Sequence, residues 1–196
     1  MSHLKSVCVF CGSKAGQSPE YALAAADLGR ALADAGIHLV FGGGHVGLMG
    51  ILADEVLARG GEVTGVIPKS LQERELAHSQ VSDMRIVDSM HSRKALMAEL
   101  SEAFIALPGG LGTFEELCEI LTWAQLGFHS KPVALFNVNG YYDHLLKLIN
   151  HAIAEGFMSN DQRESLIAAN SVSELMKRLL TSPLGKSDPA AIREQT

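Results

Sequence analysis

Short apolar runs alternate with segments of helical periodicity along most of the chain. Six runs predict strands, at 6–10, 37–41, 62–67, 84–87, 103–107 and 132–138. The first predicted helix starts at Ser18-Pro19 and ends near Gly36, and later helices are predicted at 142–155 and about 171–180. Strands and helices that alternate in this way form a parallel sheet with helices on both faces. The pattern therefore predicts an α/β fold with a doubly wound parallel sheet.

This architecture predicts where a ligand binds. Ligands of such sheets lie beyond the carboxyl ends of the strands. The glycine-rich loops after Phe41 and Leu107, and the start of the helix that carries Arg93, all face that crevice in the predicted fold.

Composition is consistent with one domain. The chain has 196 residues, of which 47% are hydrophobic and only 6% aromatic, with 19 glycines. We expect a single domain at residues 1–180, followed by a flexible tail at 181–196, which is polar and contains two prolines.

Charge and segment patterns exclude several classes of partner. The net charge is −6 and basic residues form no stripe, so we expect no nucleic-acid polymer as a partner. No apolar run approaches the ~18 residues that a membrane span needs, and the N-terminus lacks a signal-peptide pattern. Three cysteines do not form a disulfide framework, so we expect a soluble, cytoplasmic protein. Cys8 and Cys11 are spaced as CxxC but fall on opposite faces of a strand, which favours core packing over metal or redox chemistry.

The segment from the predicted strand 103–107 into the next helix is typical of an anion site. A glycine-rich turn at 108–112 leads to Thr113, which we predict as the helix start. A helix N-terminus after a glycine turn offers backbone N–H groups and a positive dipole end to a phosphate. Glu115 and Glu116 fall in the same predicted first turn. Because a phosphate and a carboxylate repel each other, we expect them to serve different parts of one phosphorylated ligand.

A second glycine loop follows the predicted strand 37–41. Gly42, Gly44 and Gly47 fit GxGxxG, a weak pattern by itself. A dinucleotide site also needs an acidic residue at the end of the next strand, but that strand ends in Pro68-Lys69. A Walker A lysine is absent as well. We interpret the loop, with Gly43 and Gly44, as a second close approach to a nucleotide or phosphate; the alternative is a packing turn with positive φ.

Three charged residues each admit two interpretations. Arg93 shares a helical stripe with Met90 and Met97, so it serves either a ligand or a structural carboxylate. Glu116 is either catalytic or the acceptor of a capping box with Thr113. Glu75, in the polar segment 70–83, is either a pocket residue or a solvated charge.

These segments resemble the LONELY GUY (LOG) family of cytokinin-activating phosphoribohydrolases. PGGLGTFEE at 108–116 matches the family signature PGGxGTxxE, and matching segments follow in order over most of the chain. They are VFCGS at 9–13, GGGHVGLMG at 42–50, VIPKSL at 66–71, MHSRK at 90–94, ILTWAQLG at 120–127 and NVNGYYDHLL at 137–146.

The resemblance implies a Rossmann-like fold, a homodimer and a reaction. Family members hydrolyse the N-glycosidic bond of N6-substituted adenosine 5′-monophosphates to the free base and ribose 5-phosphate, without a cofactor or metal. By resemblance, the catalytic positions are Arg93 and Glu116. By resemblance and from the glycine loops, the substrate-binding positions are Glu75, Arg93, Lys94, Gly109, Gly110, Leu111, Gly112, Thr113, Phe114, Glu115, Glu116, Thr122, Gly43 and Gly44.

The chain departs from the family pattern at two positions, and two other functions stay open. Leu111 stands where many relatives have an aromatic residue, and Phe41 where they have tyrosine. A non-catalytic nucleotide or cofactor carrier would keep the phosphate loop but not need Arg93 with Glu116. A broader AMP nucleosidase would differ only in the base pocket. Relatives have also been labelled lysine decarboxylases, but no candidate lysine for pyridoxal phosphate is found.

Overall fold

A parallel sheet of seven strands forms the centre of the computed structural model, which describes residues 4–72, 77–185, 190 and 192. Every pairing between neighbouring strands is parallel, in the order β4-β3-β2-β1-β5-β6-β7. The predicted α/β parallel sheet is confirmed. The strands are β1 (Ser6–Phe10), β2 (His38–Phe41), β3 (Val63–Pro68), β4 (Asp83–Val87), β5 (Ala103–Ala106), β6 (Val133–Phe136) and β7 (Leu166–Ala169).

Helices cover both faces of this sheet. The helices are α1 (Pro19–Asp34), α2 (Gly47–Ala58), α3 (Lys69–Gln72), α4 (Met90–Glu99), α5 (Leu111–Gln125), α6 (Asp143–Ala154), α7 (Asn160–Ser165) and α8 (Val172–Thr181), with a 3₁₀ turn at Val138–Gly140. One hydrophobic core lies between the sheet and α1, α2 and α8. A second lies between the sheet and α4, α5 and α6. Successive strand residues alternate between the two cores, as the pleat requires: Val7 and Val9 belong to the first, Cys8 and Phe10 to the second.

Several elements, among them β7, α7 and α2, are not predicted by the sequence pattern. The edge strand β7 is the four-residue segment LIAA. Helix α2 begins inside the second glycine loop, and its N-cap, Val46, makes no side-chain hydrogen bond that would signal a start.

The strand order reverses beside β1: β2, β3 and β4 lie on one side of it, and β5, β6 and β7 lie on the other. From β1 the chain builds outward to β4, and from β5 outward to β7, so the loops after β1 and β5 are neighbours. The Gly12 N–H donates to the Pro108 carbonyl at 3.1 Å and ties these loops together. Doubly wound sheets bind ligands at this switch point.

The remaining expectations concern the cysteines and the termini. Cys8 and Cys11 are both buried, one in each core, which confirms core packing. In the described part of the chain, no helix is long and apolar enough to cross a membrane, and no group of potential ligands could hold a metal ion. Ile192 is 1% exposed and belongs to the second core. Most of the segment expected to be a tail lies outside the described residues, so the boundary at residue 180 stays a prediction.

Candidate active site

A cavity of about 270 Å³ opens at the switch point. Its polar wall comes from the loop after β1 with Gly12 and Ser13, from Gly42 after β2, from Arg93 on α4, and from the start of α5. Part of the wall is apolar and includes Met49, Leu71, Met90, Met97 and Leu111. The predicted crevice at the carboxyl ends of the strands is therefore present.

Helix α5 begins two residues earlier than predicted. Gly110 is its N-cap, in extended conformation, and the Phe114 N–H donates to the Gly110 carbonyl at 3.1 Å. Thr113 is the third helical residue, so the predicted helix start at Thr113 is wrong. The capping box of Thr113 with Glu116 is excluded with it. Glu115 and Glu116 fall beyond the first turn, which contains no acidic residue.

Thr113 has a packing role in place of a capping role. Its side chain is 4% exposed and lies against Gly109, where an added Cβ would come within 2.1 Å of Thr113 Oγ1. Glycine at 109 is thus required by a close approach, and the turn lies directly on the first turn of α5.

Arg93 is 4% exposed, on the buried side of α4 as its stripe predicted, and its guanidinium is held by backbone carbonyls. Nε donates to Val66 O at 3.0 Å and Nη2 to Gly42 O at 2.7 Å. A Cβ at Gly42 would lie 2.2 Å from Nη2, so only glycine permits this approach. Carbonyl groups carry no net charge, so these bonds orient the guanidinium without neutralising it.

The second glycine loop packs closely on its neighbours, and its predicted approach to a nucleotide or phosphate stays a prediction. Gly42 supports Arg93 at the cavity. Gly43 and Gly47 have positive φ values of 78° and 61° and pack closely on neighbouring segments, which fits the packing alternative. Gly43 and Gly44 are absent from the described residues that line the cavity.

Glu116 is partly exposed and lines the same cavity as Arg93. Burial raises the pKa of the Cys8 thiol, the Glu116 carboxylate raises it further, and the Arg93 guanidinium opposes both. Burial and Glu116 also raise the pKa of Cys11. Both charges therefore lie near the Cys8 thiol, and both residues line the same cavity.

Lys94 faces α5, and it is not among the described residues that line the cavity. It is 6% exposed, and Nζ donates to Glu119 Oε1 at 2.9 Å and to Glu115 Oε1. Burial lowers the pKa of Lys94, but the bonds to Glu115 and Glu119 outweigh it and the pKa lies above its usual value. The ion pairs join α4 to α5.

Some of the other residues predicted to bind substrate line the cavity, and others do not. Gly110, Leu111, Gly112 and Glu115 line the cavity with Thr113 and Glu116. Phe114 stacks on Tyr141, with ring centroids 6.2 Å apart. Thr122 donates to Cys118 O at 2.7 Å and lies in an apolar groove between α5 and α6. Glu75 lies outside the described residues.

Sequence reasoning missed several residues at the cavity. Gly12 and Ser13 line it directly, and Tyr141 donates a hydrogen bond to Gly109 O beside it. A signal for the first pair exists in the sequence, because Cys11-Gly12-Ser13 follows the first strand and so lies at the ligand edge. Tyr141 gives no such signal, because its contact bridges 32 residues.

The sheet order and the cavity at its switch point define the class: this is a Rossmann-like α/β protein with a ligand cavity at the carboxyl edge. Residues 49–179 match the family model described as "Possible lysine decarboxylase". The chain is 52% identical to the cytokinin riboside 5′-monophosphate phosphoribohydrolase LOG3 of Arabidopsis thaliana, covering 91% of this chain and 83% of LOG3. It is 50% identical to the phosphoribohydrolase LOG of Oryza sativa subsp. japonica, covering 91% of this chain and 74% of that protein. The chain belongs to the LONELY GUY family, as its motifs indicated.

Solved structures of lower identity share the fold. The molybdenum cofactor carrier protein of Chlamydomonas reinhardtii superposes with a TM-score of 0.69 at 22% identity, over 91% of this chain and 99% of that one. The molybdenum cofactor binding protein of Rippkaea orientalis gives 0.68 at 22% identity, over 91% and 97%. At such identity these neighbours support the Rossmann-like fold alone.

Proposed function

We propose that this chain hydrolyses the N-glycosidic bond of cytokinin riboside 5′-monophosphates, releasing the free base and ribose 5-phosphate. Identity of about 50% to curated enzymes with this activity, over 91% of the chain, supports the reaction. The observation that carries the proposal for the site is the meeting of three features in one cavity: the N-terminus of α5, the Glu116 carboxylate and the Arg93 guanidinium.

The 5′-phosphate binds at the start of α5. The first N–H groups of a helix have no intrahelical acceptor, and here Gly110, Leu111, Gly112 and Thr113 line the cavity. No acidic side chain lies in the first turn, so nothing there repels a phosphate. Ser13, across the cavity, can add a hydroxyl donor.

The ribose lies toward Glu116, one turn farther along α5. Cleavage of the bond between C1′ and the base nitrogen develops positive charge on the sugar, as in glycoside hydrolysis. The Glu116 carboxylate stabilises that charge and accepts a proton from the water that attacks C1′. The electrons of the broken bond go to the base nitrogen, which takes up a proton as the base leaves.

Arg93 acts as a fixed cation beside this centre. Its two backbone acceptors hold the guanidinium plane, so it can donate to ribose hydroxyls or phosphate oxygens without first being ordered.

The base occupies the apolar part of the cavity. Met49, Leu71, Met90 and Met97 contribute flexible or aliphatic surface there, which suits an N6-substituted adenine. Leu111 is 85% exposed at the cavity, and so it covers the ligand less firmly than an aromatic side chain would.

Lysine decarboxylation is disfavoured because, among the described residues, no lysine lines the cavity and the neighbouring Lys94 is held charged. A Schiff base requires a neutral amine, whereas Lys94 is held charged between two carboxylates. A non-catalytic carrier gains no support from the neighbours at 22% identity, because they share only the fold.

The test is incubation of the purified protein with isopentenyladenosine, its 5′-monophosphate and AMP, followed by chromatography of bases and sugars. We expect the free base and ribose 5-phosphate in equal amounts from isopentenyladenosine 5′-monophosphate. Equal turnover of AMP would identify the broader nucleosidase. Tight binding without base release would identify the carrier and refute the proposal.

We also infer that the chain assembles as a homodimer. The groove between α5 and α6 is apolar and includes Leu148, which is 62% exposed. Thr122 lies in this groove and not at the cavity of its own chain. If Thr122 binds substrate as predicted, it does so across this interface. Light scattering should give twice the chain mass of 20.9 kDa; a monomer would contradict the inference.

A further inference from the structure

We propose that Tyr141 is a positioning residue for phosphate recognition, because its hydroxyl fixes the orientation of the Gly109–Gly110 peptide. This inference rests on the phosphate site proposed above. It assigns to Tyr141 a role that neither its type nor its sequence position indicates.

The four carbonyls from Leu107 to Gly110 each accept a hydrogen bond from within the protein. Pro108 O accepts from Gly12 N–H at 3.1 Å, and Gly110 O accepts from Phe114 N–H at 3.1 Å. The two remaining carbonyls accept from consecutive tyrosines. Tyr142 Oη donates to Leu107 O at 2.6 Å, and Tyr141 Oη donates to Gly109 O.

A bonded carbonyl fixes the N–H on the other side of the same peptide. The described part of the chain contains no cis peptide bond, and in a trans peptide the C=O and N–H point in opposite directions. The bond from Tyr141 to Gly109 O therefore directs the Gly110 N–H away from Tyr141. Gly110 lines the cavity and Tyr141 does not, so this N–H is aimed at the proposed phosphate.

This peptide needs an external restraint because glycine stands on both sides of it. Glycine has no Cβ and tolerates a wide range of φ and ψ, so the Gly109–Gly110 peptide plane can rotate at little steric cost. A rotated plane would present a carbonyl oxygen to the phosphate in place of an N–H. The tyrosine hydroxyl opposes that rotation.

Tyr141 is itself held firmly. Its ring stacks on Phe114 and meets Tyr21 and Tyr142 edge to face, with centroids 5.0–6.2 Å apart. The backbone before it turns through Asn139 and Gly140, with φ of 52° and 69°. Strand β6, which precedes this turn, pairs with β5, which precedes the glycine turn, so the two loops are neighbours at the sheet edge.

Tyr142 provides a matched control. It also donates to a backbone carbonyl of the turn, but the peptide after Leu107 leads into Pro108, which has no N–H to aim. Tyr142 is 1% exposed, so loss of its hydroxyl leaves a buried carbonyl without this donor and lowers stability. It should leave phosphate binding unchanged.

The experiment compares the wild-type protein, Tyr141→Phe and Tyr142→Phe, and both substitutions keep the aromatic ring. Calorimetric titration with ribose 5-phosphate, and separately with adenine, measures the two ends of the site. We expect Tyr141→Phe to weaken ribose 5-phosphate binding by about tenfold, the worth of one well-placed hydrogen bond. The affinity of Tyr141→Phe for adenine should be unchanged. Tyr142→Phe should lower the melting temperature without weakening the binding of ribose 5-phosphate.

The outcomes separate this inference from the proposed function. Unchanged affinity for ribose 5-phosphate in Tyr141→Phe overturns the positioning role, as does an equal loss in both variants or a parallel loss of adenine binding. A wild-type protein that does not bind ribose 5-phosphate overturns it too. Base release is followed on the wild-type protein in parallel. If no base is released but ribose 5-phosphate binds, the proposed hydrolysis fails while the role of Tyr141 is still decided by the two variants.

Discussion

Replacement of Glu116 by glutamine tests the proposed chemistry most directly. Glutamine has nearly the same shape, but it cannot accept a proton from water or carry the charge that stabilises a cationic sugar. Since α5 begins at Leu111 and its N-cap is Gly110, Glu116 takes part in no capping box and lies beyond the first turn. The substitution therefore removes no helix cap and no favourable interaction with the helix dipole.

The expected size of the effect follows from this placement. A substitution at a partly exposed position without a cap changes the free energy of unfolding by roughly 0.5 kcal/mol. Loss of a positioned acid–base group lowers kcat by about 10²–10⁴-fold, equivalent to about 3–5 kcal/mol in the activation barrier. We therefore expect near-native melting with a large loss of kcat, measured by base release from isopentenyladenosine 5′-monophosphate.

Glu119→Gln is the matched control on the same helix. Its Oε1 accepts from Lys94 at 2.9 Å, and Lys94 keeps its bond to Glu115 when this acceptor is weakened. This control should lower stability by about 1 kcal/mol and leave kcat within a few-fold of wild type. If Glu116→Gln retains more than about a tenth of wild-type kcat, well short of the acid–base range, the catalytic assignment is wrong.

Further predictions concern the cation, the phosphate and pH. Gly42→Ala should lower kcat/KM by about 10²-fold with an unchanged circular dichroism spectrum, because its Cβ would displace Arg93 Nη2; an active variant would show that the guanidinium position is unimportant. Arg93→Lys keeps the charge but cannot reach both carbonyls, and a similar loss in kcat/KM is expected, so full activity would mean that charge alone suffices. The dephosphorylated nucleoside should have a kcat/KM at least about 10²-fold below that of its monophosphate, and comparable values would place the phosphate elsewhere. His129 accepts from Lys131 N–H through Nδ1 and donates to Ile120 O through Nε2, and burial lowers its pKa. The unfolded chain then binds more protons, so stability is lost as pH falls below about 6.5; His129→Gln should flatten the dependence of Tm on pH between about 7 and 5, and an unchanged slope would exclude His129 as its source.

Hydrophobic periodicity was sufficient for six of the seven strands because burial on both sides leaves a strong local pattern. Strand β1 matched its predicted bounds, and the predicted strand 62–67 differs from β3 by one residue at each end. Arg93 was correctly placed on a buried helix face because its neighbours Met90 and Met97 define that stripe. The sequence does not show which distant residue such a side chain contacts.

The start of α5 could not be predicted from local signals. By residue type Thr113 is the better N-cap, and glycine is only a moderate one. Tertiary contacts decide otherwise, since Gly109 O is held by Tyr141 and Thr113 packs against Gly109. The carbonyl partners of Arg93 are equally hidden, because they lie 27 and 51 residues away in the chain.

Arg93 and Lys94, the adjacent cations of α4, have different partners because of helix geometry. Successive helical residues point about 100° apart, so Arg93 and Lys94 cannot face the same partners. Arg93 turns toward the carbonyls of Val66, within β3, and Gly42, directly after β2. Lys94 turns toward the carboxylates of α5 and joins the two helices. The positions of Arg93 and Glu116 are thereby fixed by the bonds of Arg93 to two carbonyls and by the ion pairs between α4 and α5. Catalysis by positioned charges requires that rigidity.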